Sequence, residues 1–184
     1  MQDSLKGKSA IITGAASGMG LAFAEALAEN GCQVALADLN VEAGKAAGQK
    51  ISATGANCFF HKTDVSNGRD ARALIEATVA KFGRVDILIN NAGIQHLAPI
   101  HKFDENRWNQ LIGVMLTGTF LCTKYALPPM MAQKRGRIIN ISSIHGLVAS
   151  EFKSAYTAAK HGVIGFTKVL ALEGAPHNIT TVAI

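Results

Sequence analysis

Thr13-Gly14-Ala15-Ala16-Ser17-Gly18-Met19-Gly20 stands between a short apolar run, Ser9-Ala-Ile-Ile-Thr13, and a helical pattern that opens at about Gly18. A buried strand that turns through glycines into a helix offers an anion the helix N-terminus and its free N–H groups. Gly14, Gly18 and Gly20 let the backbone turn tightly and come close to a pyrophosphate, with Ser17 and Met19 facing the same space. The spacing is Gly-x3-Gly-x-Gly, not the commoner Gly-x-Gly-x-x-Gly. Such a loop alone is weak evidence; its place between the first strand and the first helix gives it weight.

Outward from this loop, apolar runs alternate with helical patterns. Strands are expected at 9–13, 33–38, 57–61, 86–90, 137–141 and 179–184. Helices are expected from about 18 to 30, 41 to 53, 68 to 82, 105 to 133 and 154 to 173. The pattern predicts an α/β fold, a Rossmann-type doubly wound parallel sheet of about six strands with helices on both faces. Right-handed crossovers and the early glycine loop give the order 3-2-1-4-5-6, with ligands outside the carboxyl ends of the strands.

Asp38 ends the second strand, 18 residues after Gly20. A carboxylate there accepts from both adenosine ribose hydroxyls and repels a 2′-phosphate, which favours NAD over NADP. Asp64-Val65 follows the third strand, where a side chain meets an adenine edge. Asn90-Asn91-Ala92-Gly93 follows the fourth, and its small residues let the backbone pass close to a flat cofactor.

Tyr156 and Lys160 are four apart, on one helix face. Ser143 lies 13 residues before Tyr156, just past the fifth strand. A tyrosine hydroxyl is ordinarily a weak acid, with pKa about 10. An ammonium ~4 Å away is worth about 4 kcal/mol at an effective dielectric near 20, enough to bring such a group into use near neutrality. A serine can donate to a substrate oxygen as charge develops on it.

Taken together, Thr-Gly-x3-Gly-x-Gly, Asn-Asn-Ala-Gly, Ser142-Ser143 and Tyr156-Thr-Ala-Ala-Lys160 resemble the marks of the short-chain dehydrogenase/reductase family. The resemblance covers nearly the whole chain. It implies Tyr156 as general acid/base, Lys160 as the group that favours the tyrosinate and binds the nicotinamide ribose, and Ser143 as the group that orients the substrate oxygen. Within the family the likeness is strongest to its bacterial D-3-hydroxybutyrate dehydrogenases. Three stretches carry it: Asn-Asn-Ala-Gly-Ile-Gln95-His, Ser143-Ile-His145-Gly-Leu-Val-Ala-Ser and Lys153-Ser-Ala-Tyr156. The resemblance implies that Gln95, His145 and Lys153 hold the carboxylate of a small hydroxy acid. It also implies subunits paired through the two long helices, Glu105–Gln133 and Ser154–Glu173, as a homo-dimer.

Two departures stand against it. In the family an asparagine on the long helix holds a water that links the lysine to solvent, and Met115 occupies that position here. Members also continue past the sixth strand into a substrate lid and a seventh strand. Residues 1–184 are therefore expected to form a single NAD-binding domain without them, whether natural or a fragment. Three readings remain open: a 3-hydroxybutyrate dehydrogenase, a cofactor-binding protein without turnover, and a dehydrogenase of another small hydroxy compound.

Composition narrows the field. The chain of 184 residues is 48% hydrophobic and 17% charged, which is globular. No run approaches the ~18 consecutive apolar residues of a membrane span, and the start carries Lys6 and Lys8 without the apolar core of a secretion signal. No membrane association is expected, and the cytoplasm is the expected location. The net charge of +5 is scattered, densest at Lys134, Arg135 and Arg137, and suits a solvated loop better than nucleic acid. Cys32, Cys58 and Cys122 have no metal spacing and an odd count, so free thiols and no metal are expected.

Overall fold

The computed structural model describes residues 5–184, so the first residues of the polar start lie outside it. Six strands form one parallel sheet: β1 Ser9–Thr13, β2 Gln33–Asp38, β3 Cys58–Lys62, β4 Ile87–Asn90, β5 Gly136–Asn140 and β6 Ile179–Ala183. Their order is β3-β2-β1-β4-β5-β6, as the glycine loop and the crossover rule require. Register is set in the middle of the sheet, where Ile11 pairs with Ala35 on one side and Leu88 on the other.

Strand residues alternate between two cores. Ala10, Ile12, Val34, Leu36, Ile87 and Ile89 pack under α1 (Gly18–Glu29) and α2 (Val41–Ser52). Ile11, Ala35, Ala37, Leu88 and Ile138 pack with α3 (Gly68–Phe82), α5 (Gly118–Ala132) and α6 (Ser154–Gly174). Burial of both faces explains why the strands read as continuous apolar runs and not as alternations. Helix starts follow side-chain caps: the Asn40, Asn67 and Asp104 side chains accept from Ala43, Arg69 and Arg107 N–H groups at 2.9–3.1 Å.

The helix expected over 105–133 differs from a plain α-helix. It runs as α4 (Glu105–Ile112), a wider π turn over Gly113–Thr117, and α5. Two close contacts mark this turn. Gly118 packs so close to Val65 that a Cβ would lie 2.8 Å from its Cγ2. The Thr119 hydroxyl donates to the Met115 carbonyl at 2.8 Å. The whole run, Glu105–Ala132, is long and apolar enough to cross a membrane by length and composition alone. In this fold Leu111, Met115, Cys122, Ala126 and Met130 along it are buried against the rest of the chain.

Candidate active site

β1 ends at Thr13, whose hydroxyl is buried at the seam between β1 and β4. It accepts the N–H groups of Asn91 and Ala92 at 3.0 and 3.1 Å. The Asn91 amide donates in return to the carbonyls of Thr13 and Gly14 at 2.9 and 3.2 Å. The two loops are therefore stitched together, and the glycines are what let them meet. At Gly20 a Cβ would sit 2.1 Å from the Gly14 carbonyl oxygen, and at Gly14 it would sit 2.9 Å from the Ala92 Cα. Gly14 and Gly18 also have φ of 64° and 55°, which a side chain disfavours.

Asp38 ties this loop to β2. Its Oδ2 accepts the Ala16 N–H at 3.0 Å and its Oδ1 the Asn40 N–H at 2.9 Å. Each oxygen keeps a lone pair for a hydroxyl from the cleft. The cleft has a volume of about 460 Å³. Gly14, Ser17, Met19, Asp38, Asp64, Val65, Asn91, Ala92 and Gly93 all line it. Gly18 and Gly20 do not; they shape the loop behind it. Asp64 lines the cleft, but its Oδ1 is taken by the N–H and hydroxyl of Ser66 at 2.9 and 2.6 Å. Leu39, Gln110 and Val114 also line the cleft and were not singled out from the sequence. Thr13 entered only as the first residue of the glycine motif, and its part as the hydroxyl that joins the two loops was not foreseen.

This donor set fits a nicotinamide dinucleotide. A helix N-terminus without a side-chain cap, at Ser17, faces a glycine-shaped turn. A carboxylate, Asp38, stands at the next strand end, and Val65, Ile94 and Val114 give the cleft an apolar wall.

The reacting half gathers where β5 ends. Ser142 donates its hydroxyl to the Lys160 carbonyl at 3.1 Å, docking the end of β5 on α6. The next residue, Ser143, starts a short 3-10 turn, and its Oγ accepts the His145 N–H at 3.1 Å, leaving the O–H free to donate outward. From α6, Lys160 sends its Nζ to the Ile141 carbonyl at 2.6 Å and lies 5.5 Å from the centre of the Tyr156 ring. Lys160 is buried, and that burial pushes its pKa down to about 8. At pH 7 it remains mostly an ammonium, and it loses its charge as pH rises past 8.

His145 and Lys153 meet directly. The Lys153 Nζ lies 2.9 Å from His145 Nε2, and the imidazole stands edge-on to the Tyr156 ring at 6.0 Å. An ammonium can only donate, so Nε2 accepts and the ring proton of the neutral imidazole is on Nδ1. That atom is buried without a partner. Gln95 lies on the β4 loop and borders a cavity of about 290 Å³ with His96, Arg107 and Gln110. Its Oε1 accepts the His96 N–H at 3.2 Å, so its amide N–H groups are left to donate. Met115 is 1% exposed in a small core with Leu111, Ala155 and Ala159, one residue before Lys160. Among the described residues no cluster of His, Cys, Asp and Glu is placed to hold a metal.

Residues 8–184 match the short chain dehydrogenase family. An uncharacterized oxidoreductase of Bacillus subtilis is 47% identical over 95% of this chain and 68% of its own length. A D-beta-hydroxybutyrate dehydrogenase of Cupriavidus necator is 45% identical over 98% of this chain and 70% of its own length. A trans-4-hydroxycyclohexanecarboxylate dehydrogenase of Sinomonas cyclohexanicum is 42% identical over 97% of this chain and 71% of its own length.

Proposed function

The chain belongs to the short chain dehydrogenase family, and on that premise we propose that it is an NAD-dependent oxidoreductase interconverting D-3-hydroxybutyrate and acetoacetate. The observation that carries this reading is the grouping of Ser143, His145, Lys153, Tyr156 and Lys160 where β5 meets α6. The relative from Cupriavidus necator bears the name of that activity, which supports the substrate.

NAD is held by the Gly14–Gly20 loop, by Asp38 on the adenosine ribose, and by the Asn91–Gly93 backbone. When bound, its nicotinamide supplies the hydride acceptor. The protein's own residues do the rest. Tyr156 takes the alcohol proton at Oη during oxidation and returns it during reduction. Ser143 donates its free O–H to the same substrate oxygen and holds it in place. The Lys160 ammonium beside the ring stabilises negative charge on the phenol oxygen and holds the nicotinamide ribose. Lys153 offers the cation for the substrate carboxylate, with His145 behind it and the Gln95 amide as a further donor.

A homo-dimer through α5 and α6 belongs to the same reading. Phe120, Val169 and Leu172 are exposed there, and Phe120 and Val169 flank a cavity of about 170 Å³ between the two helices. The three thiols are free, as the reducing cytoplasm would keep them.

The second reading is a dehydrogenase of a ring hydroxy acid, which the relative from Sinomonas cyclohexanicum supports by its name. The test is NADH formation with D-3-hydroxybutyrate, longer and alicyclic hydroxy acids, and neutral diols, together with NAD titration by calorimetry. Turnover of hydroxy acids but not diols is expected. NAD binding without turnover of any of them would overturn the proposal.

A further inference from the structure

Phe152 adopts φ of 66°, in the left-handed region. A bulky side chain there is an outlier, because its Cβ crowds the following carbonyl. Glycine or asparagine would sit there with little strain. Such strain persists only where the surroundings impose it, and it concentrates at binding and catalytic sites.

Two tethers impose it here. The Phe152 carbonyl accepts the Ala98 N–H at 3.2 Å. The next residue, Lys153, is fixed through its ammonium to His145. Ala98 follows Gln95 by three positions, so the strained residue joins the two segments proposed to hold the substrate carboxylate. The fold gains little from the ring itself. It is 51% exposed and lies outside all three apolar clusters. Leu97, Ile144, Leu147 and Val148, on the same two segments, are exposed as well. Large apolar side chains left open beside a polar site mark a ligand surface. A four-carbon acid brings them only a methyl group.

Resting on the hydroxy-acid reading above, we propose that Phe152 is a specificity-determining residue. D-3-hydroxybutyrate is then the smallest of its substrates, and hydroxy acids whose alcohol carbon carries an alkyl or alicyclic group larger than methyl are used more efficiently.

Two acids with the same polar end and different tails test this: D-3-hydroxybutyrate and D-3-hydroxyhexanoate. One buried methylene changes kcat/KM by roughly tenfold or more. The native chain is expected to favour the six-carbon acid by about tenfold or more in kcat/KM. Phe152→Gly should bring that ratio toward one while raising Tm by about 2–4 °C, since glycine relieves the strain. Phe152→Leu, which stays apolar and strained, should keep the preference without the gain in Tm. A native preference for the four-carbon acid, or a ratio unchanged in Phe152→Gly, would overturn the proposal even with Tm raised. Oxidation of neither acid would defeat the hydroxy-acid reading itself, an outcome separate from turnover indifferent to Phe152.

Discussion

Asp38 has two roles, and each has its own signature. Its carboxylate fixes the backbone on both sides, at Ala16 and Asn40, and it also lines the cleft, where we propose it meets the adenosine ribose. A 2′-phosphate would lie against that charge, and the residues that follow, Leu39-Asn40-Val41, bring no cation. NAD should therefore bind at least tenfold more tightly than NADP. Asp38→Asn should narrow the gap, and should also cost about 1 kcal/mol of stability as one of the two backbone N–H groups loses its acceptor. Calorimetric titration of both cofactors checks the first part, and equal affinities in the native chain would remove Asp38 from the ribose. Tyr156 is more specialised. Tyr156→Phe keeps the ring beside His145 and Lys160 and removes only the hydroxyl. Turnover should drop by a factor of roughly 10²–10⁴ with NAD affinity nearly unchanged. Steady-state rates that match the native chain would mean another group moves the proton.

The strands and most helices were legible because each carries its own local cause: two-sided burial for the strands, a capping side chain or a glycine for several of the helix ends. The π turn over Gly113–Thr117 was not. One extra residue in a turn shifts the apolar stripe too little to stand out across 28 residues, and the close packing of Gly118 on Val65 is a tertiary contact. The Lys153–His145 pair was equally hidden, since a 3-10 turn after β5 is what brings the two side chains together. Met115 sits in that π turn, and its surroundings sharpen what a change there would do. Asparagine at 115 would bury an amide among Leu111, Ala155 and Ala159. An unmet buried polar group costs about 1–3 kcal/mol, or a drop of about 2–12 °C in Tm for a chain of this size. If the amide reaches past Ala159 to Lys160, a water held there would carry protons to and from the lysine. If that relay limits the rate, Met115→Asn raises turnover of D-3-hydroxybutyrate by roughly 5–150-fold at saturating NAD. A melting curve and a saturating rate for the pair of proteins check both halves. A rate that stays level or falls would mean protons leave by another path.

The sheet separates function from support across the whole molecule. Every proposed site residue lies at the carboxyl edge of the strands or on a segment facing it. At the opposite edge Asp86 anchors the frame, buried and bound to Arg84 at 2.6 Å through both oxygens and to the Ser9 N–H at 3.0 Å. Burial pushes its pKa up, but Arg84 and the Ser9 N–H outweigh burial and hold it below 3.8. Its contribution is thus present above pH 3.8 and lost only in stronger acid. The alkaline side is where Lys160 and the buried thiols compete. Lys160 keeps its proton to about 10.5 in the unfolded chain and to about 8 when folded. Between these values the unfolded chain binds more protons, so stability rises with pH, by at most about 1.4 kcal/mol per pH unit. This contribution is complete above 10.5 and lost as pH falls through 8. The buried thiols act in the opposite sense. Burial pushes Cys122 from 9.0 to about 12, and Cys58 to about 11. Unfolded thiols ionise first, so their contribution is complete below 9 and lost as pH climbs toward the folded values. From pH 8 to 9 the loss of the Lys160 proton raises stability, while the unfolded thiols, half ionised at 9.0, take most of that gain back. Above 9 the thiols, with the raised Cys32 among them, outweigh one lysine. Unfolding free energy, measured with urea under reducing conditions, should therefore hold nearly level from about pH 8 to 9 and fall beyond it. Lys160→Met should remove the level stretch and start the fall at about pH 8. A native curve that falls between those values as steeply as that of Lys160→Met would show that Lys160 keeps its ordinary affinity for the proton, and its charge would then persist through the whole alkaline range.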